Sequence, residues 1–375
     1  MLEPKDVLDT LTQSGVEFFS GVPDSLLKSF CAYVTDNTSA KQHVITANEG
    51  GALALAAGSY LATGKLGLVY MQNSGLGNAV NPLTSLADPE VYGIPMLLMV
   101  GWRGEPDSKD EPQHVKMGKV TLELLSALGV QHAILPDDWA VAKPLLSFAV
   151  EQAKSNNAPF ALVVPKDTFA NYALQTKSQA SPYEMSREQA LGIVLEHIEP
   201  NALVVCTTGM PSRELFEWRE RRGEAHASDF LTVGCMGHAS QIALGVALQQ
   251  PERPVYCIDG DGAVIMHMGA LSTIGALAPN NFRHVVLNNA AHDSVGGQPT
   301  VGFAVDFAAI ARGCGYNGAV RADNDTDLRS HLQALTSGGG PVLVEIRIHK
   351  GARPDLGRPT ESPAALKRSV MHYLA

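Results

Sequence analysis

The feature that most limits how this chain can fold is an alternation that runs its whole length. Short apolar runs, rich in Val, Ile, Leu and Met, take turns with longer alanine-rich or amphipathic stretches. In the first part the pattern predicts strands at 16–21, 43–46, 67–71, 95–100, 132–135 and 160–164, with helices at 4–14, 50–63 and 119–128. Strands separated by helical stretches are not joined as hairpins. They lie parallel, and the helices between them cover both faces of the sheet. Residues 175–186 (QTKSQASPYEMS) are polar, contain a proline and show no apolar period, so they read as a linker. The alternation then resumes, with helices at 187–197, 212–221, 240–248 and 306–314 and strands at 202–206, 230–233, 255–258, 284–287 and 342–348. The expected fold class is α/β with two domains, 1–174 and 187–375, each a parallel sheet flanked by helices, and no middle domain. A length of 375 residues fits this, since a domain takes roughly 100–200. No short-period repeat and no clear identity between the halves is visible.

Composition removes several function classes. The net charge of −10 argues against a broad surface for nucleic acid or anionic membrane. The longest apolar run, 94–102, falls short of the ~18 residues that a membrane span requires. The opening MLEPKDVLDTL carries acidic residues and lacks the apolar core of a secretory signal. The five cysteines, at 31, 206, 235, 257 and 314, form no CxxC pair, which points to a reducing, cytoplasmic setting without a disulfide framework.

The sharpest chemical signal lies in the second half. Ile258-Asp259-Gly260-Asp261-Gly262-Ala263 and Val285-Val286-Leu287-Asn288-Asn289 each follow an apolar strand. The glycines let backbone amides approach a phosphate. Asp261 offers a carboxylate oxygen and Asn289 an amide oxygen, the hard donors that Mg²⁺ takes. In open α/β sheets such groups collect at the carboxyl ends of strands. This GDG, followed by about twenty-five residues and NN, resembles the signature of thiamine-diphosphate enzymes. By that resemblance Asp261, Asn289 and the carbonyl of Ala291 hold Mg²⁺. Gly260, Gly262 and Ala263 then belong to the cofactor cradle, and Thr208, Gly209 and Met210 form the upstream loop on the diphosphate. Gly234 and Met236 would grip the aminopyrimidine, Met236 forcing the cofactor into its bent shape. Glu49, in Asn48-Glu49-Gly50-Gly51-Ala52, stands where the family keeps the carboxylate that activates pyrimidine N1′. A glutamate at a helix start also favours the helix dipole on its own account.

Pyruvate decarboxylase and acetolactate synthase relatives carry an extra middle domain. This compact chain instead resembles the phosphonopyruvate decarboxylase family and its sulfopyruvate relatives. The likeness is carried by the blocks at 21–27 (GVPDSLL), 102–106 (WRGEP), 109–114 (KDEPQH), 207–216, 292–298 and 353–359 (RPDLGRP), and so runs over nearly the whole chain. Asn288 departs from the pattern, since relatives are expected to carry Asp there. The resemblance implies decarboxylation of 3-phosphonopyruvate to phosphonoacetaldehyde, in biosynthesis of carbon–phosphorus compounds. His114, placed on a loop, and His292 are candidate proton donors, with Asp24 as a second relay. An anionic substrate calls for local cations. Arg103, Lys109, Arg213, Arg353 and Arg358 lie in loop-like, glycine- or proline-flanked segments, although each can equally form a surface ion pair. Ser25 and Ser294 are candidate hydrogen-bond donors to the substrate. Two other readings are carried: a sulfopyruvate decarboxylase, and a cofactor-binding module without catalysis. Since the family's cofactor lies between unlike domains of different subunits, at least a homodimer is implied.

Overall fold

The computed structural model describes residues 1–175, 181–336 and 338–375. The chain divides into two units, Met1–Lys177 with Val295–Gln298, and Ser178–Ser294 with Pro299–Ala375. The expected linker at 175–186 lies partly outside the described residues, at 176–180.

The first unit holds strands β1 (Val16–Gly21), β2 (His43–Ile45), β3 (Leu66–Gln72), β4 (Met96–Gly101), β5 (Gln131–Ile134) and β6 (Pro159–Val164). All pair in parallel, in the order β2-β1-β3-β4-β6-β5. The central strands are buried on both faces, as their unbroken apolar runs require. Leu68, Tyr70, Leu97, Met99, Leu162 and Val164 point into one core. Val69, Met71, Leu98, Val100, Ala161 and Val163 point into the other, beneath the helix Glu49–Thr63. That helix is capped by Asn48, whose side chain accepts from the Gly51 amide (2.8 Å), and ends at Gly64 in the left-handed region (φ 69°).

The second unit holds β7 (Leu203–Cys206), β8 (Asp229–Leu231), β9 (Val255–Gly260), β10 (Phe282–Asn288), β11 (Gly318–Ala322) and β12 (Val342–Arg347). The order is β11-β12-β10-β9-β7-β8, again all parallel. Read from its other edge, this is the strand order of the first unit, so the two units share one topology. Here Val204, Ile258, Val285 and Val344 face one core and Val205, Cys257, Val286 and Leu343 the other.

His114 departs from the sequence-based expectation, and Arg213 falls within the helix expected at 212–221 rather than in a loop-like segment. His114 is not on a loop: it lies in the first turn of the helix Pro112–Ala127, which starts earlier than expected because Pro112 sits at the helix start with φ preset. Arg213 is helical, within Met210–Arg222, where Pro211 plays the same part.

Candidate active site

Register builds the second unit's site. Leu287 lies opposite Gly260, so Asp261 and Asn288–Asn289 leave adjacent strands side by side. Asp261 opens the helix Asp261–Met266 and is 2% exposed. Burial raises its pKa to about 6, opposed by the Thr300 hydroxyl, which donates to Oδ2, and by backbone amides including that of Asn289. No Lys, Arg or His pairs with it among the described residues. Asn289 Oδ1 accepts from the Ala291 amide (3.0 Å), and its Nδ2 donates to Asp293 (2.7 Å). Ala290 between them takes a left-handed conformation (φ 51°), which turns the loop at that point. At Gly302 an added Cβ would stand 2.5 Å from both Asp261 Oδ2 and Asn288 Oδ1, so only glycine fits against these oxygens. A buried carboxylate without a cationic partner, next to an amide oxygen with a second lone pair, is a donor set that fits a hard divalent cation.

The neighbouring loops form a cradle around this point. Gly209 (φ 97°), Gly234 (φ 75°), Cys235 (φ 51°) and Gly237 (φ 83°) adopt left-handed or glycine-type conformations. Turns of this kind present backbone N–H groups to anions. The Gly234 amide donates to Thr208 Oγ1 (3.1 Å), which ties the turn after β8 to the loop that leads into Met210. The Met236 methyl and His292 Cε1 lie 3.4 and 3.3 Å from where a Cβ on Gly262 would be, so the glycine leaves room between them. The structure thus brings together Thr208, Gly234, Met236, the 260–263 turn, Asn289 and His292. Burial pushes the His292 pKa down to about 4, leaving the imidazole neutral near pH 7.

In the first unit Glu49 is buried at the start of its helix. Its Oε2 accepts from the Asn78 amide (2.7 Å), and Gly75 leaves the space that Oε1 occupies, since a Cβ there would come within 2.4 Å. Burial raises the Glu49 pKa, and no cation pairs with it among the described residues. Asp24 is fully buried between Gln72 Nε2 (2.7 Å) and the Leu26 amide (2.9 Å), with its pKa also raised by burial. Arg103 donates to Asp110 through Nε (2.8 Å) and to Ser25 Oγ through Nη1 (2.8 Å). His114 is buried near this group. Burial, then the Arg103 charge, lowers its pKa to about 4, and its Nδ1 has no hydrogen-bond partner.

The five expected cations differ in what they already hold. Arg103 is paired with Asp110. Arg353 is surrounded by Glu188 (3.2 Å), Asp355 (3.0 Å) and Glu217. Lys109 and Arg358 are exposed, as is Ser294. Arg213 is half-buried, burial lowers its pKa, and it has no carboxylate partner among the described residues.

Two buried networks were not anticipated from sequence. Arg187 makes a forked pair with Glu214 (2.9 and 3.0 Å) and reaches Asp293 (3.1 Å). Asn288 donates to Glu345 (2.8 Å) and to the Gly302 carbonyl (2.9 Å), while Arg347 donates to the same Glu345 oxygen (2.9 Å). One clue was available. Ser186 and Gln189 form a capping box, which puts Arg187 in the first helical turn, where the dipole disfavours a cation.

Comparisons with known proteins give the family. Residues 5–122 match the N-terminal, and 207–346 the C-terminal, TPP binding domain of thiamine pyrophosphate enzymes. The chain is 38% identical to a phosphonopyruvate decarboxylase of Streptomyces viridochromogenes, over all of this chain and 95% of the relative. It is 37% identical to a phosphonopyruvate decarboxylase of Streptomyces hygroscopicus, over all of this chain and 94% of the relative. A sulfopyruvate decarboxylase of Methanosarcina acetivorans is 29% identical over 85% of this chain and 84% of its own length. Fold and site define a thiamine pyrophosphate enzyme, and within that class the chain belongs to the phosphonopyruvate decarboxylase family. No helix among the described residues is long and apolar enough to cross a membrane.

Proposed function

We propose that this chain decarboxylates 3-phosphonopyruvate to phosphonoacetaldehyde and CO₂, using thiamine diphosphate and Mg²⁺. The observation that carries the reading is the end-to-end likeness to two phosphonopyruvate decarboxylases, higher than that to the sulfopyruvate enzyme. Bound thiamine diphosphate supplies the electron sink that a 2-oxo acid needs to lose CO₂. In this reading residues 1–174 form the pyrimidine side and 187–375 the diphosphate side. Asp261, Asn289 and the Ala291 carbonyl hold Mg²⁺. Thr208, Gly209, Met210, Gly260, Gly262 and Ala263 lie along the diphosphate. Gly234 and Met236 hold the aminopyrimidine.

With the cofactor bound, Glu49 would stand against pyrimidine N1′ and hold the proton there. Its burial without a cation among the described residues suits this, because burial raises the carboxyl pKa and so favours its holding a proton. His114, His292 and Asp24 move the proton that replaces CO₂ on the product. Both imidazoles are neutral at pH 7, so each accepts a proton before it gives one. Arg213 takes the phosphonate, since among the five expected cations it is the half-buried guanidinium without a carboxylate partner among the described residues. Ser25, Ser294, Arg103, Lys109, Arg353 and Arg358 are the further candidates for substrate contact. The enzyme works in the cytoplasm and feeds carbon–phosphorus biosynthesis. It is at least a homodimer, in which Glu49 of one copy serves the cofactor held by Asp261 of another.

CO₂ release from phosphonopyruvate, sulfopyruvate and pyruvate, measured side by side with and without thiamine diphosphate and Mg²⁺, tests the reaction. A cofactor-dependent preference for phosphonopyruvate is expected. Faster release from sulfopyruvate would move the substrate assignment, and none from any acid would leave the silent-module reading. Mixing the Glu49→Gln and Asp261→Ala variants tests the shared site. Random pairing in a dimer should restore about a quarter of the sites, whereas sites built within one chain stay dead.

A further inference from the structure

Beneath Asn289 lies an ion network that the reaction chemistry leaves unused. Arg187 and Glu214 are 4% and 1% exposed and joined by two parallel hydrogen bonds. The third arm of Arg187, Nη1, reaches Asp293 Oδ2 (3.1 Å). That same oxygen accepts from Asn289 Nδ2 (2.7 Å) and from the Gly351 amide (2.9 Å). Buried ion pairs rarely repay their desolvation as stability, so the arrangement asks for another role.

The chemistry of the amide supplies it. Rotation of the Asn289 side chain by half a turn exchanges its oxygen and nitrogen, and only the oxygen can ligate a cation. Asp293 Oδ2 already accepts from the Arg187 Nη1 and Gly351 N–H groups, so it stands as an acceptor toward Asn289. Asp293 therefore draws Nδ2 to itself and leaves Oδ1 on the other side, where the Ala291 amide (3.0 Å) occupies one lone pair and the second stays open. Arg187, itself held by Glu214, keeps the Asp293 carboxylate in place. We propose that Asp293, anchored by Arg187 and Glu214, is a positioning residue that fixes Asn289 with its oxygen toward the Mg²⁺ site. Through Gly351, the same carboxylate sets the start of the segment that carries Arg353. This inference rests on the reading of Asn289 as a metal ligand.

The test is a Mg²⁺ titration of the apoprotein at saturating thiamine diphosphate, followed by tryptophan fluorescence, for wild type, Asp293→Asn, Asn289→Ala and the double variant. Loss of an outer-shell partner of this kind costs about ten- to a hundredfold in metal affinity. Asp293→Asn should therefore raise half-saturating Mg²⁺ by about tenfold or more, and should add almost nothing in the Asn289→Ala background. A lowered melting temperature with unchanged Mg²⁺ affinity in Asp293→Asn, while Asn289→Ala is weakened, would overturn the inference and spare the metal site. Equal shifts by Asp293→Asn in both backgrounds would overturn it too. An unchanged affinity in Asn289→Ala would remove the ligand reading and the inference with it. Should Asp293→Asn fail to fold, Glu214→Gln loosens the anchor and keeps the Asp293–Asn289 bond. A shift of the same sign and smaller size is then expected, and no shift overturns the inference.

Discussion

The two units run their strands in the same order, yet the loops at equivalent strand ends hold opposite electrostatic arrangements. In the first, the loop after β4 carries Arg103, and its guanidinium is already held by Asp110 and Ser25 beside the buried Asp24. In the second, the strand ends at the same place in the sheet carry Asp261 and Asn289, with no built-in cation among the described residues. One unit brings its own positive charge, and the other leaves a position for a cation from solution. The difference teaches that topology places the loops, while the charge written into them decides whether a loop is a finished structure or a binding site.

The largest expected effect tests the carboxylate of the first unit that has no cation. Glu49→Gln keeps the shape and removes the exchangeable proton, so turnover should fall by about a thousandfold or more with the circular dichroism unchanged. Full activity in that variant would leave the first unit without a chemical role.

Asn288→Asp probes how much negative charge the second unit tolerates. A carboxylate there would face Glu345 and lie near Asp261, so stability measured by denaturant should drop by about 3 kcal/mol in the apoprotein. The amide at 288 has a task of its own in this network. The neutral amide donates to Glu345, which an ionised Asp cannot do. An undiminished midpoint would mean that one of these carboxyls is already neutral.

Arg213→Gln sharpens the contrast among cations. It should lower kcat/KM for phosphonopyruvate by about ten- to a hundredfold, the worth of a charged hydrogen bond, and affect pyruvate far less. Equal losses on both acids would assign Arg213 to the cofactor instead.

The smallest effect is in pH. The folded pKa of His114, about 4, lies below its ordinary value of 6.5. The unfolded chain therefore binds a proton that the folded one refuses, and stability is lost as pH falls from 6.5 toward 4. By linkage the loss is about 1–2 kcal/mol by pH 5. Denaturant midpoints of wild type and His114→Gln, compared at pH 7.5 and 5, should converge toward the acid side if His114 carries this term.

All six strands of the first sheet are legible in the sequence: β3, β4 and β6 as apolar runs, and the shorter β1, β2 and β5 by their place in the strand–helix alternation. In the second sheet β11 is not. Gly318-Ala319-Val320-Arg321-Ala322 is short and lies at the sheet edge, where Arg321 can face solvent without cost. The long helix Trp139–Asn156 was also not assigned, since Pro144 interrupts its pattern. At the candidate site, the positions of residues that follow a strand directly, such as Asp261 and Asn289, are legible because local order fixes them. The Arg187–Glu214–Asp293 network was not, since its members are brought together from 106 residues apart by packing alone.

Shared topology has a consequence at the level of copy number. No strand is exchanged between the units, and each sheet has its own pair of cores. What covalent continuity contributes is stoichiometry and effective concentration: every ribosome that finishes one unit also makes its counterpart, so a cell cannot accumulate one half of the machinery in excess of the other.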